Sequence, residues 1–326
     1  MNKPNIFKYA TKELSQDAFI FWLLDHANPI YENVDKEIKT CALNLIEFFF
    51  NLENKKMPEN INKFELKKQE KSIDIVLYLN EFMIVIEDKV NTKSHSNQLF
   101  RYKYYAENKM GKENVLAIYF KTHDQSNYKK EEEEGFKVFH RQDLLKLLDK
   151  TVTDNDIFLD FKSHIFSIEE EVSNFLIKEE WNHQNWTGFF KYLQKELNAG
   201  DWGYVPNQNG GFMGYWWAFN KNELCTQYLQ LQEDDLVLKI NSKSEKNDKK
   251  FRNLCYKHYL EKAKQEEISF NKPIRFGVGE TMTILTTKYI VRDENSNLIN
   301  IEKTKKNIVL YTNFINNNFL KFEDFM

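Results

Sequence analysis

The sequence predicts an α/β fold with a mixed central sheet in its first half, followed by an α+β domain. Two apolar segments with strand alternation, residues 72–78 and 83–86, flank a tight polar break. Segments with helical periodicity precede and follow them. Five of the six tryptophans then lie beyond residue 180. We therefore predict one domain over residues 1–180, including a helical connector, and a second over residues 181–326.

The first half predicts a regular order of elements. Thr11 can cap a first helix, in which Leu14, Ala18, Phe21 and Leu24 recur at helical spacing. A second amphipathic helix covers residues 34–51. The elements after it are a strand near residue 65, the hairpin, a helix over 96–108, strands at 115–120 and 136–139, and a helix over 142–148. This order of helix, three strands, helix and strand indicates an α/β sandwich.

The second half predicts a mixture of helices and strands without repeats. We expect helices over residues 186–197, 249–264 and 308–317. The expected strands lie at 214–220, 228–232 and 236–240, with a strand pair over 281–291. The aromatic patch at residues 210–217 could stack on exposed bases, but alternating aromatic residues more often form a core, and we favour a core.

Composition limits the classes of function. The 326-residue chain has a formal net charge of −3, so a phosphate-binding surface must come from local clustering. Three widely spaced cysteines favour neither a disulfide framework nor a zinc site. No apolar run is long enough to span a bilayer, and no signal-peptide pattern begins the chain. We expect a soluble, cytoplasmic protein.

The hairpin carries the most informative residues. Its turn at Asn80-Glu81 sets a register in which Asp74 lies opposite Glu87. Paired strand residues have Cβ atoms roughly 4.5–5.5 Å apart, and two carboxylates that close repel unless a proton or a cation intervenes. The sequence therefore predicts a divalent cation between them.

Alternation along the second strand separates its charged end into two faces. Glu87 and Lys89 share one face, and Asp88 lies on the other. Residues 83–86 are apolar on both faces, which is typical of a strand that is buried on both sides. Charges at the end of such a strand are costly without a function. An ordinary surface pair of Glu87 and Lys89 is the alternative.

For two other charged segments, an ordinary solvent-exposed surface is an alternative to a functional site. The basic residues Lys89, Lys93, Arg101, Lys103 and Lys109 could form a phosphate-binding surface or a solvated helix face. The acidic run at residues 131–134 could imitate a metal site, but we interpret it as a solvated turn.

The helix after the hairpin adds a polar face. Gln98 and Tyr102 lie one turn apart, with Arg101 on the same general side. With Asp74 and the motif Glu87-Asp88-Lys89 before this Gln-x-x-x-Tyr pair, the chain resembles the PD-(D/E)XK nuclease superfamily, including its RecB-like branch. The segment beginning at Glu13 resembles the acidic first-helix motif of that superfamily. The resemblance covers roughly residues 8–145, and its one departure is Ile73 where the superfamily name has proline.

The resemblance implies a restriction-endonuclease-like αβββαβ core and assigns roles to residues. Asp74 and Glu87, with the Asp88 carbonyl, would bind Mg²⁺ or Mn²⁺, and Glu13 would bind a second metal ion. Lys89 would orient the attacking water and stabilise charge on the phosphate. The substrate-positioning residues would be Gln98, Tyr102, Arg101 and Lys93. The C-terminal half has only a loose similarity to domains appended to bacterial nucleases.

The resulting expectation is a magnesium-dependent nuclease that acts on DNA rather than RNA, in restriction, repair or defence against phage. One alternative is a catalytically inactive nucleic-acid-binding or protein-interaction module that retains the nuclease fold. A third hypothesis is an adaptor that binds a protein partner through its tryptophan-rich half. We also consider a homodimer, and expect no membrane association.

Overall fold

The computed structural model describes residues 4–31, 33–90, 92, 94, 97–207, 210–223, 225–242, 249–274 and 281–320. The chain forms two compact units, residues 1–170 and 171–326. The domain boundary at residue 180 stays a prediction. Within the described residues, no helix is long and apolar enough to cross a membrane.

The first unit contains a five-stranded mixed sheet, as the sequence predicts. Neighbouring strands follow the order of the chain: β1 and β2 and then β2 and β3 pair antiparallel, whereas β3 and β4 and then β4 and β5 pair parallel. The strands are β1 (Phe64–Glu70), β2 (Ile73–Leu79), β3 (Phe82–Lys89), β4 (Val115–Lys121) and β5 (Lys137–His140).

Helices cover both faces of this sheet. One core joins α1, α2, α5 and α6 to the sheet face that includes Ile84 and Ile86. A second, smaller core joins α3 to the face that includes Met83 and Val85. The helices are α1 (Glu13–Asp25), α2 (Lys36–Leu52), α3 (Gln98–Met110), the short α4 (Lys129–Glu133), α5 (Arg141–Asp149) and α6 (Asp156–Ser173). Strand β3 is therefore buried on both sides, as predicted.

The hairpin has the predicted register. Its pairs run from Leu79 opposite Phe82 to Ile75 opposite Ile86. The next pair in this register would join Asp74 and Glu87, at the end of the ladder. There the backbone N–H of Asp88 instead donates to Asp74 Oδ2 over 3.0 Å. The two carboxyl groups thus come to the same end of β2 and β3.

Three local predictions for the first unit were wrong. Lys12 rather than Thr11 occupies the N-cap position of the first helix, and its side chain makes no capping hydrogen bond. Leu14 is exposed, and the buried face of α1 instead includes Gln16 and Asp17. In the acidic run, Glu131 is buried and accepts hydrogen bonds from Ser94 and Gln125. It is a structural carboxylate rather than part of a solvated turn.

The second unit contains an antiparallel five-stranded sheet in the order β10-β9-β8-β7-β6. Helices α7, α8 and α9 share one core with this sheet. The strands are β6 (Asp201–Val205), β7 (Phe212–Lys221), β8 (Cys225–Gln232), β9 (Asp235–Ser242) and β10 (Thr281–Lys288). The helices are α7 (His183–Leu197), α8 (Lys249–Gln265) and α9 (Ile301–Asn317).

Two expectations for the second unit need correction. Within residues 281–291, Thr281–Lys288 form the single strand β10 instead of a strand pair, and β6 lies where the sequence indicates only turns. The core interpretation of the aromatic patch is correct for Tyr215 and Trp217, which are buried. The three cysteines of the chain are buried: Cys41 in the first unit, and Cys225 and Cys255 in the second.

Candidate active site

Lys89 lies at the centre of a group of carboxylates from three elements. Its Nζ lies 2.6 Å from Glu87 Oε1, 3.7 Å from Asp74 Oδ2 and 3.9 Å from Glu13 Oε2. The same Nζ donates a hydrogen bond of 2.8 Å to the Asp88 carbonyl. Strands β2 and β3 and the first residue of α1 thus bring Asp74, Glu87, Lys89 and Glu13 together, as the sequence predicts.

Burial makes this group electrostatically unusual. Glu87 is fully buried, and burial together with the nearby Asp74 raises its pKa to about 8, although Lys89 acts in the opposite direction. Burial alone would lower the pKa of Lys89, but its contacts with Glu87, Asp74 and Glu13 outweigh burial and raise it. The ammonium ion therefore stays charged and partly compensates the surrounding carboxylates.

Helix α3 fixes the position of the Glu87 carboxylate. Gln98 Nε2 donates to Glu87 Oε1 over 2.7 Å and also lies 3.0 Å from the Tyr102 hydroxyl. Tyr102 in turn donates to the Ser72 carbonyl just before β2. Arg101 is exposed on the same helix. Lys93, the fourth predicted substrate-positioning residue, lies outside the described residues.

Glu13 is held by the segment after β3. The backbone N–H of Val90 donates to Glu13 Oε1 over 3.3 Å, and the Thr92 hydroxyl donates to the same oxygen over 2.8 Å. A cavity of about 370 Å³ lies beside Glu13, lined by Thr11, Lys12, Leu14, Val90 and Thr92. Glu13 therefore lies at the solvent-accessible side of the site.

The other face of β3 carries a buried polar group around the Asp88 side chain, of which we predicted only the Asp88 carbonyl as part of the site. Asp88 Oδ1 accepts a hydrogen bond from Gln16 Nε2 of α1, and Gln16 Oε1 accepts one of 2.6 Å from the Thr122 hydroxyl. Asp17 lies against Asp88. The available sequence signal was that Gln16 and Asp17 share the helical face of the buried residues Ile20, Leu23 and Leu24.

The two aspartates of this group have raised pKa values. Burial, followed by the charge of Asp74, raises the pKa of Asp17 to about 6. Burial and the charge of Asp17 raise the pKa of Asp88 well above its usual range. Because Asp17 Oδ1 and Asp88 Oδ2 have no hydrogen-bond donor in the described part of the chain, a proton between the carboxyl groups would satisfy them.

The comparison with protein families decides the identity of the chain. A model of the PD-(D/E)XK nuclease superfamily matches residues 4–199, which is more than half of the sequence. The chain belongs to the PD-(D/E)XK nuclease superfamily. Neither a curated protein nor a solved structure matches it. The RecB-like branch therefore stays a prediction.

Members of the PD-(D/E)XK superfamily are generally nucleases that use divalent metal ions, and the donor set of this chain fits such an ion. Glu87 Oε2 is buried and has no hydrogen-bond donor among the described residues. Asp74 and the Asp88 carbonyl add oxygen donors of the type that Mg²⁺ and Mn²⁺ prefer, with water as the usual remaining ligand. The described residues include no group of three or more His, Cys, Asp or Glu side chains arranged as a metal site.

Proposed function

We propose that this PD-(D/E)XK protein is a metal-dependent nuclease that hydrolyses phosphodiester bonds in DNA, with a role in restriction, repair or defence against phage. The convergence of Asp74, Glu87 and Lys89 at the end of a doubly buried hairpin supports this proposal. Their burial in one group is costly unless charge is needed at that place. Superfamily membership provides independent support for nuclease chemistry.

The proposed roles follow from the contacts of each residue. Asp74, Glu87 and the Asp88 carbonyl would hold Mg²⁺ or Mn²⁺, which supplies a Lewis acid for the phosphate oxygens. Lys89 Nζ would orient the attacking water and stabilise negative charge on the phosphate. Lys89 contacts Glu87 and Asp74, the proposed metal ligands, so its Nζ would lie close to the reacting phosphate and could perform both roles.

The residues around this centre would complete the site. Glu13, at the accessible side, would bind a second metal ion directly or through water. Gln98 would keep the Glu87 carboxylate in position, with Tyr102 supporting Gln98. Arg101 would contact the phosphate backbone. The second unit would recognise substrate or a protein partner.

The test is a cleavage assay with single- and double-stranded DNA and RNA in Mg²⁺ or Mn²⁺. We expect cleavage of DNA by the wild type and loss of cleavage in Lys89→Ala. The exposed Lys56 provides a matched control, and Lys56→Ala should cleave like the wild type. If the wild type cleaves no substrate and calorimetry shows no Mn²⁺ binding, the protein is the catalytically inactive module instead.

A further inference from the structure

Helix α3, whose first residue contacts Glu87, presents two aromatic rings to solvent. Phe100 and Tyr104 are 60% and 61% exposed. They lie one helical turn apart and stack on each other, with ring centroids 6.1 Å apart and an interplanar angle of 16°. Single exposed apolar residues are common, but a stacked pair forms a contiguous apolar surface that is accessible to a ligand.

A cation accompanies these rings. Arg101 is exposed, and its side chain has no ion pair or hydrogen bond in the described part of the chain. The other basic residues of α3 are engaged: Lys103 donates to the Gly135 carbonyl, and Lys109 donates to Glu70. Arg101 is therefore the basic residue of α3 that is available for an external anion.

Two nearby carboxylates could repel such an anion, but each already contacts a hydrogen-bond donor or a cation of the protein. Glu134 Oε2 accepts a hydrogen bond of 2.7 Å from the backbone N–H of Phe100. Glu107, on the same helix, lies 4.0 Å from Lys103. Both negative charges are thus partly compensated by groups of the protein.

The same helix links the rings to the candidate active site. Gln98, its first residue, donates to Glu87. Phe100 and Tyr104 follow Gln98 by two and six residues, which corresponds to roughly 3 and 9 Å along the helix axis. At 3.6 residues per turn, these positions are also rotated by about 200° and 240° from Gln98, so both rings lie on the solvent-exposed side of α3 rather than on the side that contacts Glu87.

We propose that Phe100 and Tyr104 stack on unpaired bases of a substrate strand that passes over the exposed side of α3, while Arg101 binds a phosphate of the same strand. This inference rests on the proposed nuclease function and narrows its substrate class to nucleic acid with a single-stranded segment. Bases stack on aromatic side chains without regard to sequence, and a guanidinium group adds charge attraction.

Nucleic acid fits this surface better than a second copy of the chain. A large aromatic side chain buries about 150–250 Å², so two rings fall well short of the roughly 1,200–2,000 Å² that a stable interface buries. A nucleic-acid strand supplies both the bases and the negative charge.

The test is binding of oligonucleotides that contain the fluorescent base 2-aminopurine, with Ca²⁺ in place of Mg²⁺ to prevent cleavage. Stacking on a ring quenches this fluorescence. Phe100→Ala and Tyr104→Ala should each weaken binding of single-stranded DNA by about 5- to 150-fold and reduce quenching. Phe100→Tyr and Tyr104→Phe should retain both signals. Tyr9, which is 83% exposed in the same unit, supplies the control Tyr9→Ala.

Several outcomes would overturn the inference. The inference fails if the alanine variants quench 2-aminopurine as the wild type does. It also fails if they lose as much affinity for fully paired DNA as for single-stranded DNA, or if gel filtration shows that they change the oligomeric state. The same binding measurements with single-stranded RNA show whether the 2′-hydroxyl group changes the affinity. If wild-type protein cleaves DNA but the ring variants bind normally, only this inference fails. If it cleaves nothing, the proposed function fails, and the quenching still decides whether bases stack here.

Discussion

The two faces of the end of β3 are both rich in carboxyl groups, but they balance their charge differently. On the α3 face, Glu87 is compensated by Lys89, whose Nζ lies 2.6 Å away. On the α1 face, Asp88 lies against Asp17, and the neighbouring side chain is the neutral amide of Gln16. The α3 face therefore holds an ammonium ion in contact with its carboxyl groups, whereas the carboxyl groups of the α1 face contact each other and favour a shared proton.

This difference separates two uses of buried carboxyl groups. A face with a permanent ammonium ion suits a site that handles the negative charge of a phosphate. Two carboxyl groups that share one proton form a hydrogen-bonded unit with one negative charge instead of two, and here this unit connects α1 to β3. Since α1 also carries Glu13, the second face positions part of the first.

The largest expected effect comes from removing the charge of Lys89. Lys89→Met keeps much of the side-chain length but loses the ammonium ion, so we expect DNA cleavage to fall by about 10²- to 10³-fold. The loss of a buried counter-charge should also lower the unfolding free energy of the metal-free protein by about 3–5 kcal/mol. Plasmid cleavage and urea unfolding measure the two effects. Wild-type cleavage by Lys89→Met would show that the charge on this face is not catalytic.

Gln16→Ala should have the next largest effect. It removes the partner of both Asp88 and Thr122 and should lower the unfolding free energy by about 1–3 kcal/mol for each partner left unsatisfied. Cleavage should fall as well, because Glu13 lies one turn away. Gln142, with a single side-chain bond to Glu169, provides the control Gln142→Ala. If Gln16→Ala is destabilised but cleaves like the wild type, the α1 face does not position the residues of the α3 face.

Glu70, outside both faces, is a carboxylate whose negative charge is stabilised by several hydrogen-bond donors. Although burial opposes the change, hydrogen bonds from Lys109, Tyr105 and Tyr78 lower its pKa from 4.5 to about 2. The stabilisation is therefore complete above pH 4.5 and is lost as the pH falls towards 2. Glu70→Gln should cost about 1–2 kcal/mol at neutral pH and progressively less below pH 4.5. Unfolding curves over this pH range measure the difference, and a constant difference would contradict the assignment.

The smallest effect is expected for Asp17→Asn. The amide replaces one carboxyl group of the pair and removes the need for a shared proton, so the unfolding free energy at neutral pH should change by no more than about 1 kcal/mol. Differential scanning calorimetry tests this expectation. A loss several times larger would mean that the α1 face, like the α3 face, needs its negative charge.

Local patterns predicted the hairpin face of the site well. The break at Asn80-Glu81 and the alternation after it placed Glu87 and Lys89 on one face, and helical spacing placed Gln98 beside Tyr102. These relations depend on residues that are close in sequence, where strand and helix geometry fix the spacing.

The polar group on the α1 face depends on long-range contacts that no local pattern contains. Gln16 contacts Asp88 and Thr122 across 72 and 106 residues. At the level of the chain, Gln16 and Asp17 are polar residues at the start of a helix, where exposure is the usual outcome. The same reason applies to Glu131, which is buried and hydrogen-bonded to Ser94 and Gln125, although the next two residues of the acidic run are exposed.

The distribution of the buried thiols gives each unit its own reporter of opening. Cys41 belongs to the first unit, whereas Cys225 and Cys255 belong to the second, and all three are shielded from solvent in the native state. A small alkylating reagent can react with them only after local or global unfolding. Mass spectrometry of labelled peptides would therefore compare the opening rates of the two units in the unmodified protein, with no introduced probe.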